Sequence, residues 1–404
     1  MTSAVNGTTD SPPAVPADRG TCPFAPPPTY EQVHRTAGPI SRVSLWDGSP
    51  CWLLTGHRQA RFALGDRRFS ADARLPGFPF LLPGRRELVL RTTPTFLRMD
   101  DPAHARQRRL LTGDFIIKRV EAMRPQIQQI VDQALDRMVA HGGPADLVRE
   151  YALPVPSLVI CLLLGVPYRD HEFFQEQSQA LLSLSATAAE VEVAQQQLNS
   201  YLAELAGRKQ REPDDSLLGR LVVRDDVTLE EAAALGVLLL IAGHETTANM
   251  TALGTLALLR NPQQAERLRS DPSLIKGAVE ELLRYLTIVH LGVPRVALED
   301  VEIDGTLIRA GDGVLCMVST ANRDEAVFTG AERLDVARDA RHHLAFGFGI
   351  HQCLGQPLAR AELQIALQTL LDRLPGLRLA VPFEEIRYRT DMAVYGVHEL
   401  PVTW

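Results

Sequence analysis

The sequence is poor in cysteine and has no two cysteines in CxxC spacing. Its five cysteines are far apart, at Cys22, Cys51, Cys161, Cys316 and Cys353. An odd, scattered set excludes the disulfide framework of small secreted proteins and gives no cysteine-based zinc site. We therefore predict a reducing, cytoplasmic location.

Long apolar runs are also lacking. The longest, within residues 158–166 and 237–242, are far shorter than the roughly 20 residues that span a bilayer. The N-terminal stretch has neither the basic start nor the apolar segment of a signal peptide. The sequence therefore predicts no membrane association. Residues 1–28, rich in Pro, Thr, Ser and Ala, are predicted to be a flexible N-terminal arm.

Lysine is also scarce, because only three of the 42 basic residues are lysines (Lys118, Lys209 and Lys276). The formal net charge is -7, which argues against a nucleic-acid binder that relies on a basic field. Arginine, whose planar fork suits buried carboxylates, supplies the positive charge instead. The 404 residues, 45% hydrophobic and 23% charged, have the composition of a globular protein.

Helical spacing of apolar residues dominates from about residue 102 to residue 286. The clearest helix is Leu229–Arg260, which starts with a Thr228/Glu231 capping pair and ends at Asn261-Pro262. Further helices are predicted at 272–286 and from Cys353 to 374. Short alternating segments at 42–54, 301–303, 313–315 and 394–404 favour strands. We predict a mainly α fold with a smaller β-rich region, in one domain over 29–404.

A glycine-rich segment, Phe346-Gly347-Phe348-Gly349-Ile350-His351-Gln352-Cys353-Leu354-Gly355, places a cysteine at the start of a helix. Helix N-termini lower thiol pKa values, and glycines let the backbone approach a flat ligand. Taken alone, Cys353 could equally be a small buried hydrophobic residue. A dinucleotide-binding loop is excluded because Gln352 stands where that motif needs glycine.

The spacing Phe346-x-x-Gly349-x-x-x-Cys353-x-Gly355 resembles the haem-thiolate loop of the cytochrome P-450 monooxygenases. The resemblance extends from about residue 21 to the C-terminus. It implies the family's triangular helix-rich prism, haem b as cofactor and Cys353 as the iron ligand. It also places Phe346 and Gly347, and Ala242 of the long helix, against the haem.

The long helix carries the sequence Ala242-Gly243-His244-Glu245-Thr246-Thr247. A zinc-peptidase HExxH site is excluded because Ala248 stands at the second histidine position. The resemblance assigns Glu245 and Thr246 to oxygen activation. For such a pair alone, a solvent-facing patch would be the commoner role. Buried polar groups in an apolar helix would favour a local distortion with water.

The resemblance also requires basic partners for two haem propionates. His104 and Arg108 share one helix face, since they are four residues apart. Together with Arg295 and His351 they match the family's propionate-binding positions. Each of the four alone could be an ordinary solvated side chain.

A Glu-x-x-Arg pair, Glu281 and Arg284, lies at i,i+3 spacing on the predicted 272–286 helix. Alone this is a common surface pair. By resemblance it forms a structural clasp with an arginine from a later loop, for which Arg333 is the match. Leu334 departs from the aromatic residue that the family usually has after that arginine.

The function implied is a monooxygenase that inserts one atom of O2 into a bulky hydrophobic molecule, such as a macrolide, polyene, statin-like or steroid-like compound of secondary metabolism. A peroxide-dependent oxygenase and a haem-based ligand-binding protein remain alternatives. Residues 74–95 match the loop that roofs the pocket in the family. The predicted pocket residues are Arg74, Leu240, Leu291, Val293, Met392, Ala393 and Val394.

Electrons would come from NAD(P)H through a ferredoxin and its reductase, because no flavin- or iron–sulfur-binding region is visible in the chain. Ferredoxins are usually acidic, which predicts a basic docking patch. Its candidate residues are Arg106, Arg109, Lys118 and Arg119, although these could simply solvate a helix face. The protein is predicted to be a monomer.

Overall fold

The computed structural model describes residues 12–20 and 22–404, which are mostly α-helical. The α-helices of this part are α1 (Pro28–Ala37), α2 (His57–Gly65), α3 (Arg85–Arg91), α4 (Ala103–Thr112), α5 (Ile117–His141), α6 (Pro154–Leu164), α7 (His171–Leu182), α8 (Ala188–Arg211), α9 (Leu217–Val222), α10 (Leu229–Arg260), α11 (Pro262–Ser270), α12 (Ile275–Leu286), α13 (Val318–Ala321) and α14 (Gln356–Arg373).

The strands are short and form three small sheets. They are β1 (Ile40–Ser44), β2 (Pro50–Leu54), β3 (Phe69–Ser70), β4 (Ala145–Asp146), β5 (Val293–Ala297), β6 (Val301–Ile303), β7 (Thr306–Ile308), β8 (Gly313–Cys316), β9 (Arg378–Leu379) and β10 (Pro401–Thr403). The largest sheet has the order β1-β2-β8-β5-β3, with β2 and β8 parallel. The other two sheets are β4-β10-β9 and β6-β7. The prediction of a helix-rich fold with a smaller β region is confirmed.

The long helix α10 has the predicted bounds. At its start the Thr228 side chain accepts a hydrogen bond from the Glu231 backbone N–H over 3.1 Å, which satisfies one of the free amides of the first turn. At its end Pro262 begins α11, so the helix stops at Arg260. The helix is continuous between these ends, and the predicted local distortion is absent from it.

α10 runs through the hydrophobic core and packs against α6, α8 and α14. Most of its residues from Ala232 to Leu258 are buried, including polar ones such as His244, Glu245 and Asn249. A helix that is buried on all sides crosses the middle of a protein rather than its surface. The polar groups of α10 therefore act inside the molecule.

Residues 12–20 and 22–27 do not form the flexible arm that the sequence predicts. Val15 is 2% exposed and its amide bonds to Ser44, which adds the segment to β1. Arg19 is buried with its guanidinium 3.5 Å from the ring centre of Tyr395. Cation–π contact and apolar burial stabilise this docking. The rest of the predicted arm, residues 1–11 and 21, lies outside the described residues.

No helix in the described ranges combines the length and hydropathy that a bilayer span requires.

Candidate functional site

The loop 346–355 is held between α2 and the start of α14. The Cys353 amide donates to the Phe346 carbonyl over 2.8 Å, which closes the loop. Gly349 has φ +76°, and a Cβ there would lie 2.5 Å from the Leu64 carbonyl oxygen at the end of α2. Only glycine permits both this backbone conformation and this approach. The loop's position is therefore fixed by backbone contact.

The Cys353 sulfur lies among donors and positive charges. The backbone amides of Gly355 and Gln356 and the guanidinium groups of Arg108 and Arg360 all lower the pKa of its thiol. Burial has the larger effect, so the pKa is raised overall. The predicted lowering of the thiol pKa by the helix start is thus present, but the effect of burial is larger. A metal ion that coordinates a thiol displaces its proton, and these donors would then stabilise the bound sulfur.

Two side chains of this region are accessible although their surroundings are buried. Cys353 has accessible surface although protein atoms surround its sulfur closely enough to raise the pKa of the thiol. Ala242 likewise has accessible surface although most residues of α10 are buried. Accessible surface at such depth means that both residues border space inside the protein, one from the loop and one from the central helix. A large flat cofactor needs this kind of cradle.

A cluster of basic side chains lies next to the loop. The imidazole rings of His104 and His351 have centroids 4.4 Å apart, and the Nε2 atoms of both are buried without a hydrogen-bond partner in the described residues. Burial, followed by the charges of Arg295, His104, Arg108 and Arg98, lowers the pKa of His351 to about 3. The structure thus brings together His104, Arg108, Arg295 and His351, the four residues predicted to bind the propionates.

Arg98 is a member of this cluster that our sequence reasoning missed. Burial, with a smaller effect of Arg295, lowers the pKa of Arg98 to about 10. Within the described chain Arg98, Arg108 and Arg295 form no ion pair. An arginine between Leu97 and Met99, six residues before His104, was the available signal.

The three guanidinium groups of this set, buried at Arg295 and half-buried at Arg98 and Arg108, need an anionic partner to be stable. Haem b presents two propionate carboxylates, which need basic partners, and an iron, which a cysteine thiolate of the protein can ligate. The donor set of this site, namely one sulfur ligand, unpartnered imidazole nitrogens and unpaired guanidinium groups, therefore fits that cofactor.

Glu245 and Thr246 have different surroundings although they are adjacent on α10. Thr246 Oγ1 donates to the Ala242 carbonyl over 2.8 Å, so the hydroxyl stays on the face that carries Ala242. The Glu245 carboxylate accepts from Arg389 Nη1 over 2.9 Å and from Asn249 Nδ2 over 3.3 Å. Nothing in the sequence indicated Arg389, since it is far away in the chain and in an irregular segment.

The predicted clasp forms with a different arginine. Arg284 donates to both carboxylate oxygens of Glu281, over 2.7 and 2.9 Å, and both side chains are fully buried. The third partner is Arg338, whose Nε lies 3.1 Å from Glu281 Oε1. The assignment of Arg333 is wrong, because its side chain is exposed and only its carbonyl reaches Arg284, over 3.4 Å.

Two loop residues assigned to the cofactor have distinct surroundings. The Arg360 guanidinium lies 4.6 Å from the centre of the Phe346 ring, while Arg360 also forms a two-bond ion pair with Glu280. Gly347 has φ +69°, and a Cβ there would meet nothing within 4 Å. Arg360 thus fixes the ring of Phe346 from one side.

The predicted pocket residues lie on several elements. Arg74 is engaged by Asp72 in a surface ion pair of 2.8 Å, which raises the pKa of the arginine. Met392 and Ala393 lie beside the end of α7, where the Ala393 amide bonds to Leu182 and Met392 pairs with Ser183. The remaining four are Leu240 on α10, Leu291, Val293 on β5 and Val394.

The predicted basic patch is smaller than expected. Arg106 is bound by Glu231 over 2.5 Å and so is partly neutralised. Arg109, Lys118 and Arg119 are exposed at the junction of α4 and α5. Two apolar side chains at this junction are also exposed, Ile116 by 45% and Ile117 by 71%. A mixed apolar and basic surface of this kind is typical of a docking site.

Known proteins resemble this chain over nearly its whole length. The cytochrome P450 family model matches residues 190–375. Cytochrome P450-SU2 of Streptomyces griseolus is 64% identical over 391 residues, 96% of each chain. Vitamin D3 dihydroxylase of the same organism is 48% identical over 407 residues, 100% of this chain and 99% of the relative. The crystal structure of CYP105P1 in complex with filipin I superposes with a TM-score of 0.91 at 44% identity, covering 98% of this chain and 99% of that one.

Proposed function

The chain belongs to the cytochrome P450 family, and from this membership we propose that its redox partner is a ferredoxin and its substrate a bulky hydrophobic small molecule. It is a haem-dependent monooxygenase. Haem b, when bound, supplies the reductive activation of O2 that puts one oxygen atom into the substrate and releases the other as water. The roles of individual residues are part of our proposal.

Cys353 is the proposed iron ligand, and the amides of Gly355 and Gln356 stabilise its sulfur. His104, Arg108, Arg295 and His351 would bind the propionates, and Arg98 would join them because it lies in the same cluster. Ala242, Phe346 and Gly347 would line the cofactor site. The single observation that carries these roles is the cluster of imidazole and guanidinium groups without anionic partners in the described chain, beside the cysteine loop.

Glu245 and Thr246 hold and move protons. The Thr246 hydroxyl donates its proton to the Ala242 carbonyl. Its oxygen is therefore free to accept a hydrogen bond from a water molecule beside the exposed surface of Ala242. The Glu245 carboxylate is held by Arg389 and Asn249, which leaves Oε1 without a partner in the described chain. A carboxylate with one unpartnered oxygen can take up a proton and release it to a neighbouring water.

The substrate class is supported by the relatives. One relative is named vitamin D3 dihydroxylase, and the structure of CYP105P1 is a complex with filipin I; both compounds are large and have extensive apolar parts. The proposed pocket residues of this chain are mostly apolar as well, and Arg74 is the exception. A bulky hydrophobic compound, such as a secosteroid or a polyene macrolide, is the substrate class that suits such walls.

The ferredoxin is proposed to dock at Ile116, Ile117, Arg109, Lys118 and Arg119. The exposed apolar pair would form the centre of the contact, and the basic residues would steer the acidic partner. A reductase supplied by NAD(P)H completes the electron path. The cytoplasmic location predicted from the cysteines remains a prediction.

The test uses the haem-loaded protein. We expect its reduced carbon monoxide adduct to give a thiolate-type spectrum, and vitamin D3 or filipin to shift the ferric spectrum. Turnover with NADH, a ferredoxin and its reductase, compared with turnover by peroxide alone, distinguishes a monooxygenase from a peroxide-dependent enzyme. An imidazole-type adduct would overturn the ligand assignment.

A further inference from the structure

An ion pair joins α12 to α14 next to the cysteine loop. Arg360 of α14 donates from Nε to Glu280 Oε1 over 2.6 Å and from Nη2 to Glu280 Oε2 over 2.9 Å. The Glu280 side chain is buried and that of Arg360 is half-buried. Two parallel bonds of this kind fix a planar guanidinium in both position and orientation. Neither residue belongs to the clasp or to the cluster proposed for the propionates.

The Arg360 guanidinium contacts the chain on both sides of Cys353 in the sequence. It lies 4.6 Å from the ring centre of Phe346, and its Nη1 donates to Gln356 Oε1 over 2.7 Å. The Phe346 carbonyl in turn accepts the Cys353 amide over 2.8 Å. Burial raises the pKa of the Cys353 thiol, and the charge of Arg360 is among the effects that lower it. Arg360 is therefore a positive charge held beside the sulfur.

Glu280 is held in turn by the segment that precedes the loop. His343 Nε2 lies 3.1 Å from Glu280 Oε2, and the Ala345 amide donates to His343 Nδ1 over 3.1 Å. Because Nδ1 accepts that bond, the ring hydrogen is on Nε2, which donates to the carboxylate. Burial alone would raise the pKa of Glu280, but the bonds from His343 and Arg360 lower it to about 2. The carboxylate is therefore ionised, and both of its oxygens are engaged.

The position of Arg360 depends on this carboxylate. Its other side-chain partner, Gln356, is neutral and lies four residues earlier on the same helix. A half-buried arginine that loses its anionic partner gains hydration and rotamer freedom by turning towards solvent. Loss of Glu280 would therefore move the charge away from the sulfur.

We propose that Glu280 is a positioning residue for reduction of the cofactor, because it holds the Arg360 guanidinium beside the Cys353 sulfur, where the positive charge favours ferrous over ferric iron. The proposal rests on the proposed role of Cys353 as the iron ligand. Reduction adds one electron, which the oxidised ferredoxin leaves behind, so a nearby positive charge makes it more favourable. Glu280 acts through Arg360 and touches no reacting atom.

The test measures the reduction potential of the haem-loaded protein by spectroelectrochemistry, without substrate or ferredoxin. Arg360→Gln removes the positive charge, and we expect the ratio of ferrous to ferric protein at a fixed applied potential to fall about threefold or more. Glu280→Gln should lower the ratio in the same direction, by about twofold or more, because the guanidinium is released. Glu280→Asp keeps a carboxylate and should lower the ratio less than Glu280→Gln.

An unchanged or raised ratio in Glu280→Gln would overturn the positioning role, since Arg360 would then keep its place without Glu280. If Glu280→Gln does not bind haem, Glu280→Asp decides the matter. A ratio that falls in Glu280→Asp supports the proposal, and one that is unchanged or raised contradicts it.

The double variant of Glu280→Gln and Arg360→Gln tests whether Glu280 acts through Arg360. It leaves no unpaired charge at the site. We expect the potential of Arg360→Gln alone, because no guanidinium is left to position. Two shifts that add would mean that the two residues act independently, and the proposal would be wrong.

A second ion pair of α14 provides the matched control. Arg373, the last residue of this helix, donates to Asp136 of α5 over 2.6 Å, and both residues are exposed. We expect Arg373→Gln and Asp136→Asn to leave the potential unchanged. Shifts as large as those of Arg360→Gln and Glu280→Gln would show a general effect of net charge and contradict a role for the position of Arg360.

The carbon monoxide adduct separates this proposal from the proposed function. An imidazole-type spectrum in the unmodified protein would remove Cys353 as the ligand, and the role of Glu280 would fail with it. If the unmodified protein and all variants have the thiolate-type spectrum while Glu280→Gln keeps the normal potential, Cys353 remains the ligand and only the role of Glu280 is wrong.

Discussion

The guanidinium of Arg338 lies 3.1 Å from the Glu281 carboxylate, on the oxygen that also receives a bond from Arg284. It additionally donates to the carbonyls of Thr329, Gly330 and Arg333, and so ties the loop before the cysteine segment to α12.

Replacing this arginine tests the clasp. We expect Arg338→Ala to lower the free energy of unfolding by about 3 kcal/mol, because it leaves part of a buried ion network unsatisfied. Arg333→Ala, a truncation of the same kind at an exposed position, is expected to stay within about 0.5 kcal/mol. Urea unfolding of the haem-loaded variants measures both. Equal losses would contradict the assignment to Arg338.

The ligand role of Cys353 predicts a selective effect. Cys353→His should lose the thiolate-type carbon monoxide spectrum and most turnover, because imidazole replaces the anionic sulfur. Cys161→Ala, at a buried cysteine of α6, should keep the spectrum. Absorbance of the reduced adducts decides the matter, and a thiolate-type spectrum in Cys353→His would refute the ligand.

Thr246→Ala is expected to retain haem while lowering the ratio of product to NADH consumed by about tenfold or more, since a positioned proton donor contributes on this scale. The lost electrons should appear as peroxide or excess water. Thr251→Ala is the control, because the Thr251 hydroxyl makes the same bond to the carbonyl four residues earlier, over 2.9 Å. Unchanged coupling in Thr246→Ala would contradict its role.

Arg98 provides a test of the anion site that the sequence did not suggest. Arg98→Leu should accelerate haem loss about ten- to hundredfold, because it removes a buried charge-assisted donor. Arg91→Leu should have little effect, as Arg91 is exposed and pairs with Glu192 at 3.0 Å. Haem transfer to apomyoglobin measures the rates. Identical rates for Arg98→Leu and the unmodified protein would remove Arg98 from the site.

His290 predicts a pH dependence of stability. It is buried against the Met392 carbonyl at 2.8 Å, and burial lowers its pKa to about 4. Between the ordinary value of about 6.5 and about 4, the unfolded chain binds a proton that the folded protein does not. Stability should therefore fall as the pH falls through this range. His290→Gln should show a smaller slope in urea unfolding, and an equal slope would contradict the prediction.

The sequence predicted those features that local chemistry determines. The bounds of α10 follow from a capping pair and a proline. The conformation of the cysteine loop follows from glycines at positive φ, which other residues rarely adopt. The members of the clasp and of the Glu245 ion pair depend instead on how distant irregular segments fold back. Neither the Arg338 contact, 57 residues from its partner, nor the Arg389 contact, 144 residues away, leaves a periodic signal.

The docking of residues 12–20 and 22–27 likewise depends on tertiary contacts. Val15 and Arg19 are buried only because β1 and Tyr395 lie where the folded chain places them. A composition rich in Pro, Ser and Thr indicates that a segment is polar and has little tendency to fold alone, but it does not predict which folded residues the segment will contact.

The contact of Arg19 with Tyr395 has a practical consequence for preparing the enzyme. A truncated protein that begins at Pro28 would lack Arg19 and would expose the stacked rings of Tyr388 and Tyr395. Tyr388 is next to Arg389, which bonds to Glu245 of the central helix, so truncation at the N-terminus would destabilise a contact of that helix.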